Sequence, residues 1–107
     1  MTIFGITKTA KKLADERGRI CECCGSHPGT QAHHCLYRRD RNVTNGSLEE
    51  KYNLQLVCFE CHHVTGKADS FQNRKNFWEK QCNRYTRQTM LEWHSRVPYK
   101  IKEHIYK

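Results

Sequence analysis

Four cysteines stand in two pairs, Cys21 with Cys24 and Cys58 with Cys61, and each pair encloses two residues. A C-x₂-C turn presents two thiolates to one ion with little strain, and Zn²⁺ favours a tetrahedral shell of such soft ligands. Two turns fill that shell, which predicts a structural zinc site. A shell closed by four sulfurs has no open position, so it cannot itself catalyse hydrolysis. A second set of groups can: His33, His34, Asn53 and His62, placed between the cysteine pairs or directly after them. Two imidazoles plus waters would hold a divalent ion and leave positions for phosphate oxygens. A remaining imidazole is then free to act as a base near neutral pH. On a strand, His33 and His34 point to opposite faces unless the strand bends, and a helix opening near Cys61 can bring His62 toward one of them.

Composition bounds what surrounds these groups. A chain of 107 residues with 36% hydrophobic content is one domain with a small core. A metal staple compensates for that. No apolar run approaches the ~20 residues of a membrane span, and the N-terminal residues do not read as a secretory signal. The expected location is therefore the cytoplasm, where thiols stay reduced and seven cysteines point to metal rather than disulfides. Nineteen Lys and Arg against eleven Asp and Glu give a net charge of +8, a field that favours a polyanionic partner such as nucleic acid.

The elements that must position the site can be read in order. Residues 7–18 predict a short helix capped by Thr7 or Thr9, with Ala10, Leu13 and Ala14 as its apolar stripe and a solvated charged face. The first knuckle follows, with Gly25 suited to its tight conformation. Residues 30–36 read as a strand carrying both histidines, and residues 54–57 as a second strand running into Cys58. The chain after Cys61 should turn helical and stop at Gly66. One longer helix, capped by Asp69 or Ser70, is expected from residue 70 to about 94. Its Trp78, Cys82, Tyr85 and Trp93 recur at near-helical spacing as a packing face, while Arg74, Lys75, Lys80, Arg84 and Arg87 form a basic face. The last nine residues, YKIKEHIYK, read as an edge strand or disorder. Cys35 and Cys82 read as small core residues, and Cys23 as an exposed thiol.

Residues 20–66 resemble the HNH family of nucleases. The resemblance rests on His33-His34 in the first strand, Asn53-Leu54-Gln55-Leu56 entering the second, and Cys58-x₂-Cys61-His62 opening a helix. It implies a small α+β fold with a ββα-metal core stapled by Cys₄ zinc, flanked by the N-terminal helix and a helical extension over residues 70–95. It further implies that His34 is the general base and that His33 and His62 hold a catalytic divalent ion, Mg²⁺, Mn²⁺, Ni²⁺ or Zn²⁺. Asn53 would orient His34 and brace the loop. Some members place a third metal-binding histidine one turn after the position of His62, where this chain has Gly66. The implied activity is hydrolysis of phosphodiester bonds in DNA, double-stranded by expectation, of the kind found in small phage and mobile-element nucleases.

Arg38, Arg39 and Arg41 follow the histidine pair within one loop and are suited to clamp the phosphate backbone, since guanidinium binds phosphate bidentately. His63 reads as a phosphate contact or a surface residue, and His27 as a neighbour of an already filled zinc shell. The competing reading is a zinc-stabilised nucleic-acid-binding module without activity, which would have no use for His34, Asn53 and His62 together. A thiol redox protein using C-x₂-C would require a βαβ context that this chain does not offer.

Overall fold

Alternation along two short segments builds the centre of the molecule. A computed structural model describes residues 8–98, so the expectations for Thr7 and for the last nine residues lie outside the described residues. Strand β1 (Gln31–His34) pairs antiparallel with β2 (Leu54–Val57), placing Gln31 opposite Val57, Ala32 opposite Leu56, His33 opposite Gln55 and His34 opposite Leu54. Side chains on a strand alternate. Ala32, Leu54 and Leu56 therefore share one face, and helix α1 (Lys8–Arg17) covers it with Ala10, Leu13 and Ala14. Gln31, His33, Gln55 and Val57 occupy the other. The result among the described residues is a small α+β fold on a two-stranded sheet.

Beyond β2 the chain makes a single π-type turn over Glu60–Val64 and stops at Gly66, which sits in the left-handed region at φ 71°. A one-turn 3₁₀ segment, Lys67–Asp69, leads to Ser70, whose side chain accepts from the Asn73 amide at 3.1 Å and caps α2 (Phe71–Tyr85). The single long helix expected to reach residue 94 is broken. Thr86 adopts φ 82° between α2 and α3 (Arg87–Arg96), and its hydroxyl accepts from the Thr89 amide at 3.2 Å to cap the second helix. The break lets α3 fold back on α2. Phe77, Trp78, Met90 and Trp93 then bury together with Leu36, Tyr37 and Leu48 from the loop between the strands. That loop is tied down where it turns, since Trp93 Nε1 donates to the Ser47 carbonyl at 2.9 Å.

The charged face of α1 is not wholly solvated. The Arg17 side chain is fully buried and joins four segments of chain. It donates to Glu22 at 3.0 Å, to the Leu54 carbonyl at 2.6 Å, to the Lys51 carbonyl at 2.8 Å and to the Tyr85 hydroxyl at 3.0 Å. Glu22 also accepts from Arg84 at 2.8 Å and from the Leu56 amide at 2.9 Å, so Arg84 leaves the basic face it was read on and serves the fold. Among the described residues, no helix is long and apolar enough to cross a membrane.

Candidate functional site

The two knuckles converge. The sulfurs of Cys21, Cys24, Cys58 and Cys61 all lie within 4.8 Å of one another, and those of Cys24 and Cys58 are 3.9 Å apart. Zn–S bonds of about 2.3 Å set the edge of a ZnS₄ tetrahedron at about 3.8 Å, so the donor set fits the ion. Backbone amides of Cys24 and Cys61 point at the sulfurs of Cys21 and Cys58 at 3.5 and 3.4 Å, the arrangement of a metal knuckle. Burial and the neighbouring thiols push the Cys61 thiol well above its ordinary range, an electrostatic conflict that a cation at the centre removes. Cys24 goes the other way. Against burial, the Ser26 amide and the His27 ring hold it down to about 5. His27 is exposed and lies 3.6 Å from the Cys24 sulfur through Nδ1, supporting that thiolate from outside the four-sulfur group. Cys23, expected at the surface, is half-buried against the same cluster. Cys35 is buried and Cys82 partly buried, both in the main core.

His33 and His34 do take opposite faces of β1. His33 is 5% exposed and turns toward the segment after the second knuckle. Its Nε2 lies 3.0 Å from the Ala68 carbonyl and 3.5 Å from an Asp69 carboxylate oxygen. The turn following Cys61 carries His62 to within 4.9 Å of the His33 ring, centroid to centroid. Gln31, two residues before His33 on the same face, offers its carbonyl oxygen to His62 Nδ1 at 2.6 Å. A histidine whose Nδ1–H is held by a carbonyl presents Nε2 as a ligand, an arrangement common around metal ions. Burial lowers the pKa of both His33 and His62, which keeps the two rings neutral and able to ligate at neutral pH. Two neutral imidazoles are donors that divalent ions accept. Among the described residues, only the four cysteines form a group of three or more close donors.

His34 lies half-buried on the other face with Nε2 3.0 Å from Glu49 Oε2. Asn53, expected to orient His34, is fully buried and directs its whole amide elsewhere. Its oxygen accepts from the Tyr37 amide at 2.8 Å, and its nitrogen donates to the carbonyls of Tyr37 at 3.0 Å and Leu48 at 2.8 Å. Asn53 thus braces the loop, and the turn it pins, Ser47–Glu49, delivers the carboxylate that meets His34.

Two clefts flank β1. One, about 320 Å³, is lined by Gln31, His34, Glu49, His62 and His63. The other, about 260 Å³, is lined by Arg38, Arg39, Asp40, Asp69 and Arg74. Arg39 links them, since its Nε lies 3.9 Å from Glu49. Arg41 is exposed and lines neither. Arg74 donates to the Leu36 carbonyl at 2.9 Å and supports the loop that carries Arg38 and Arg39. His63 is exposed, its ring 4.1 Å from that of His62. His94 is core, with the Tyr37 hydroxyl 2.6 Å from its Nε2.

Gln31, Glu49 and Asp69 were not read from sequence as residues of the site, Asp69 being read only as a candidate helix cap. Gln31 had a signal, its two-residue offset from His33. Glu49 and Asp69 had none, because tertiary folding alone brings them to the histidines. Compared with models of known families, with curated proteins and with solved structures, the chain matches none.

Proposed function

We propose that this chain is a metal-dependent endonuclease of the HNH type, hydrolysing phosphodiester bonds in DNA. The observation that carries the reading is the pairing of His33 and His62, ring to ring at 4.9 Å with Gln31 fixing His62, beside a third histidine on an open cleft. Residues 20–66 then correspond to a ββα-metal core, the Cys₄ site being its structural zinc. His33 and His62 hold the catalytic divalent ion, which when bound supplies charge stabilisation to the phosphate and the leaving oxygen.

The remaining chemistry belongs to the protein's own side chains. Glu49 holds His34 with Nε2–H directed at its carboxylate, leaving Nδ1 as the acceptor. Nδ1 takes a proton from water as the water oxygen bonds to phosphorus. The bond from phosphorus to the 3′ oxygen breaks in line, and a second water protonates that oxygen. The products are a 3′ hydroxyl and a 5′ phosphate. Such general-base assistance is worth on the order of 10²–10⁴ in rate. Arg38 and Arg39 bind the phosphodiester backbone, and Asn53 keeps their loop in place. The net charge of +8 concentrates duplex DNA at this surface.

The alternative, a zinc-stabilised DNA-binding module without activity, is favoured by the absence of a third close donor beside His33 and His62 among the described residues. Incubating the purified protein with supercoiled plasmid and Mg²⁺, Mn²⁺ or Ni²⁺, with and without EDTA, separates the two. Nicked or linear product that disappears with EDTA supports the endonuclease. Retarded but intact plasmid under all three metals supports the binding module.

A further inference from the structure

Helix α2 carries three asparagines, and the fold uses one of them. Asn73 accepts from Gln55 at 3.1 Å and donates to the Ala68 carbonyl at 2.9 Å, tying the helix to β2 and to the turn before it. Asn76 and Asn83 are exposed. Among the described residues Asn76 bonds only to Gln72, one turn earlier, and the Asn83 amide bonds to nothing. Asparagine is a poor former of helix interiors and is favoured at caps and turns, so two at positions that neither cap nor pack are not explained by the helix itself. At about 100° per residue, Gln72, Asn76 and Asn83 fall within about 40° of one another on the outer surface of α2. Lys75 lies about 60° to one side of Gln72 and Lys80 about 40° beyond Asn76 on the other, with Glu79 inside the stripe. The lysines and Glu79 are exposed, and none makes an ion pair among the described residues, although Lys75 and Glu79 are one turn apart. Phe77, Trp78 and Gln81 form the buried side of the helix, so no other element covers this stripe.

We propose that the outer face of α2 reads base edges in the major groove of duplex DNA, with adenine the base that Gln72, Asn76 and Asn83 recognise. The inference rests on DNA being the partner in the endonuclease reading, and on neither cleavage nor a second metal. The major groove admits an α-helix, and a Gln or Asn amide meets adenine in two bonds, accepting from the N6 amine and donating to N7. Asn83 has both groups open for this. Gln72 Nε2 donates to Asn76 Oδ1 at 2.9 Å, and the linked pair still offers the Gln72 oxygen as acceptor and the Asn76 nitrogen as donor. Glu79 can accept from the N4 amine of cytosine. From Gln72 to Asn83 the helix rises about 16 Å, the length of about four to five base pairs. Lys75 and Lys80 flank the amides as cations for the phosphate strands that border the groove. The stripe begins beside the arginine cleft, since Arg74, from the same turn as Gln72 and Lys75, lines it with Arg38 and Arg39. The deep, narrow major groove of duplex RNA does not admit such a helix.

The test uses the full-length, zinc-loaded protein in buffer free of other divalent ions, so that binding is read without cleavage. Duplexes with a randomised central segment are selected by binding and sequenced. Enrichment of a site of about four to five base pairs that includes adenine is expected. Fluorescence anisotropy then compares that site with an unenriched duplex of equal length. Asn76→Ala with Asn83→Ala should weaken the enriched site at least tenfold and leave the unenriched duplex unchanged. Lys75→Ala with Lys80→Ala should weaken both duplexes alike and lower the slope of log affinity against log salt by about two. Far-ultraviolet circular dichroism equal to wild type verifies that each variant has kept its helices. Wild type that enriches nothing, or G·C pairs alone, overturns base reading by these amides and leaves the backbone contacts standing. Wild-type affinity of the asparagine variant for the enriched site, or equal weakening of both duplexes, overturns the assignment to α2. Equal affinity for an RNA duplex of the enriched sequence overturns the major groove as the surface read. Wild type that binds no duplex overturns DNA as the partner, and the endonuclease with it. An enriched site that depends on the asparagines, in a protein that cuts no plasmid, upholds α2 and removes the endonuclease.

Discussion

Asn53 shows how one side chain holds the loop between the strands without its amide bonding to His34. Its amide satisfies three backbone groups, the N–H and C=O of Tyr37 and the C=O of Leu48, all shut away from water. Asn53→Ala strands all three, and each buried orphan costs about 1–3 kcal/mol. Urea unfolding should show a loss of about 3 kcal/mol or more. Asn53→Asp should not rescue it, because a carboxylate offers no donor to the two carbonyls. The importance of Asn53 was legible in the sequence from the Asn-Leu-x-Leu pattern before the second knuckle. Its geometry was not, because the expected partner was His34, and the structure routes the connection through Leu48 to Glu49. Arg17 is the opposite case. It looks like any surface arginine of an amphipathic helix, and nothing local marks it as the buried tie between α1, β2 and α2.

At the scale of elements, the parts fixed by short-range spacing are those that sequence reading reached. The two C-x₂-C turns, β2 and the stop at Gly66 each depend on a few adjacent residues, and each lies where spacing put it. The break at Thr86 does not. A β-branched residue at φ 82° is strained, and it persists because folding α3 back buries Met90 and Trp93 against α2 and the loop. Val57 and Ala68 pack directly on the cysteine cluster, so a zinc ion held there would tie β2 to the turn that follows it. Stripping zinc with a strong chelator, or replacing Cys58 by Ser, should lower the melting temperature by at least ~10 °C and reduce the near-ultraviolet signal of the tryptophans. One zinc per chain is the expected stoichiometry by elemental analysis. A metal-free protein that melts at the wild-type temperature would remove the structural role.

Considered as a whole molecule, the protein sets a four-cysteine cluster beside a pair of histidines and carries a net charge of +8. Arg38 and Arg39 are exposed, and among the described residues neither makes a bond comparable to those of Arg17 or Arg84, which suits them to counterions and phosphates. The Arg38→Ala, Arg39→Ala double variant should weaken binding to every duplex alike. It should also reduce the slope of log affinity against log salt by about two, as measured by fluorescence anisotropy across a salt series. An unchanged slope would place the DNA contacts elsewhere, on the Lys75 and Lys80 face of α2. The overall charge was readable from composition, but the division of arginines between fold and surface needed the packed structure. The proposed endonuclease turns on His34 as the base. The most direct measurement compares wild type and His34→Ala in plasmid cleavage with Mn²⁺, alongside duplex binding and zinc content. Normal binding, one zinc per chain and a cleavage rate lower by on the order of 10²–10⁴ are expected. Cleavage by His34→Ala at the wild-type rate would contradict the role of His34 as the base.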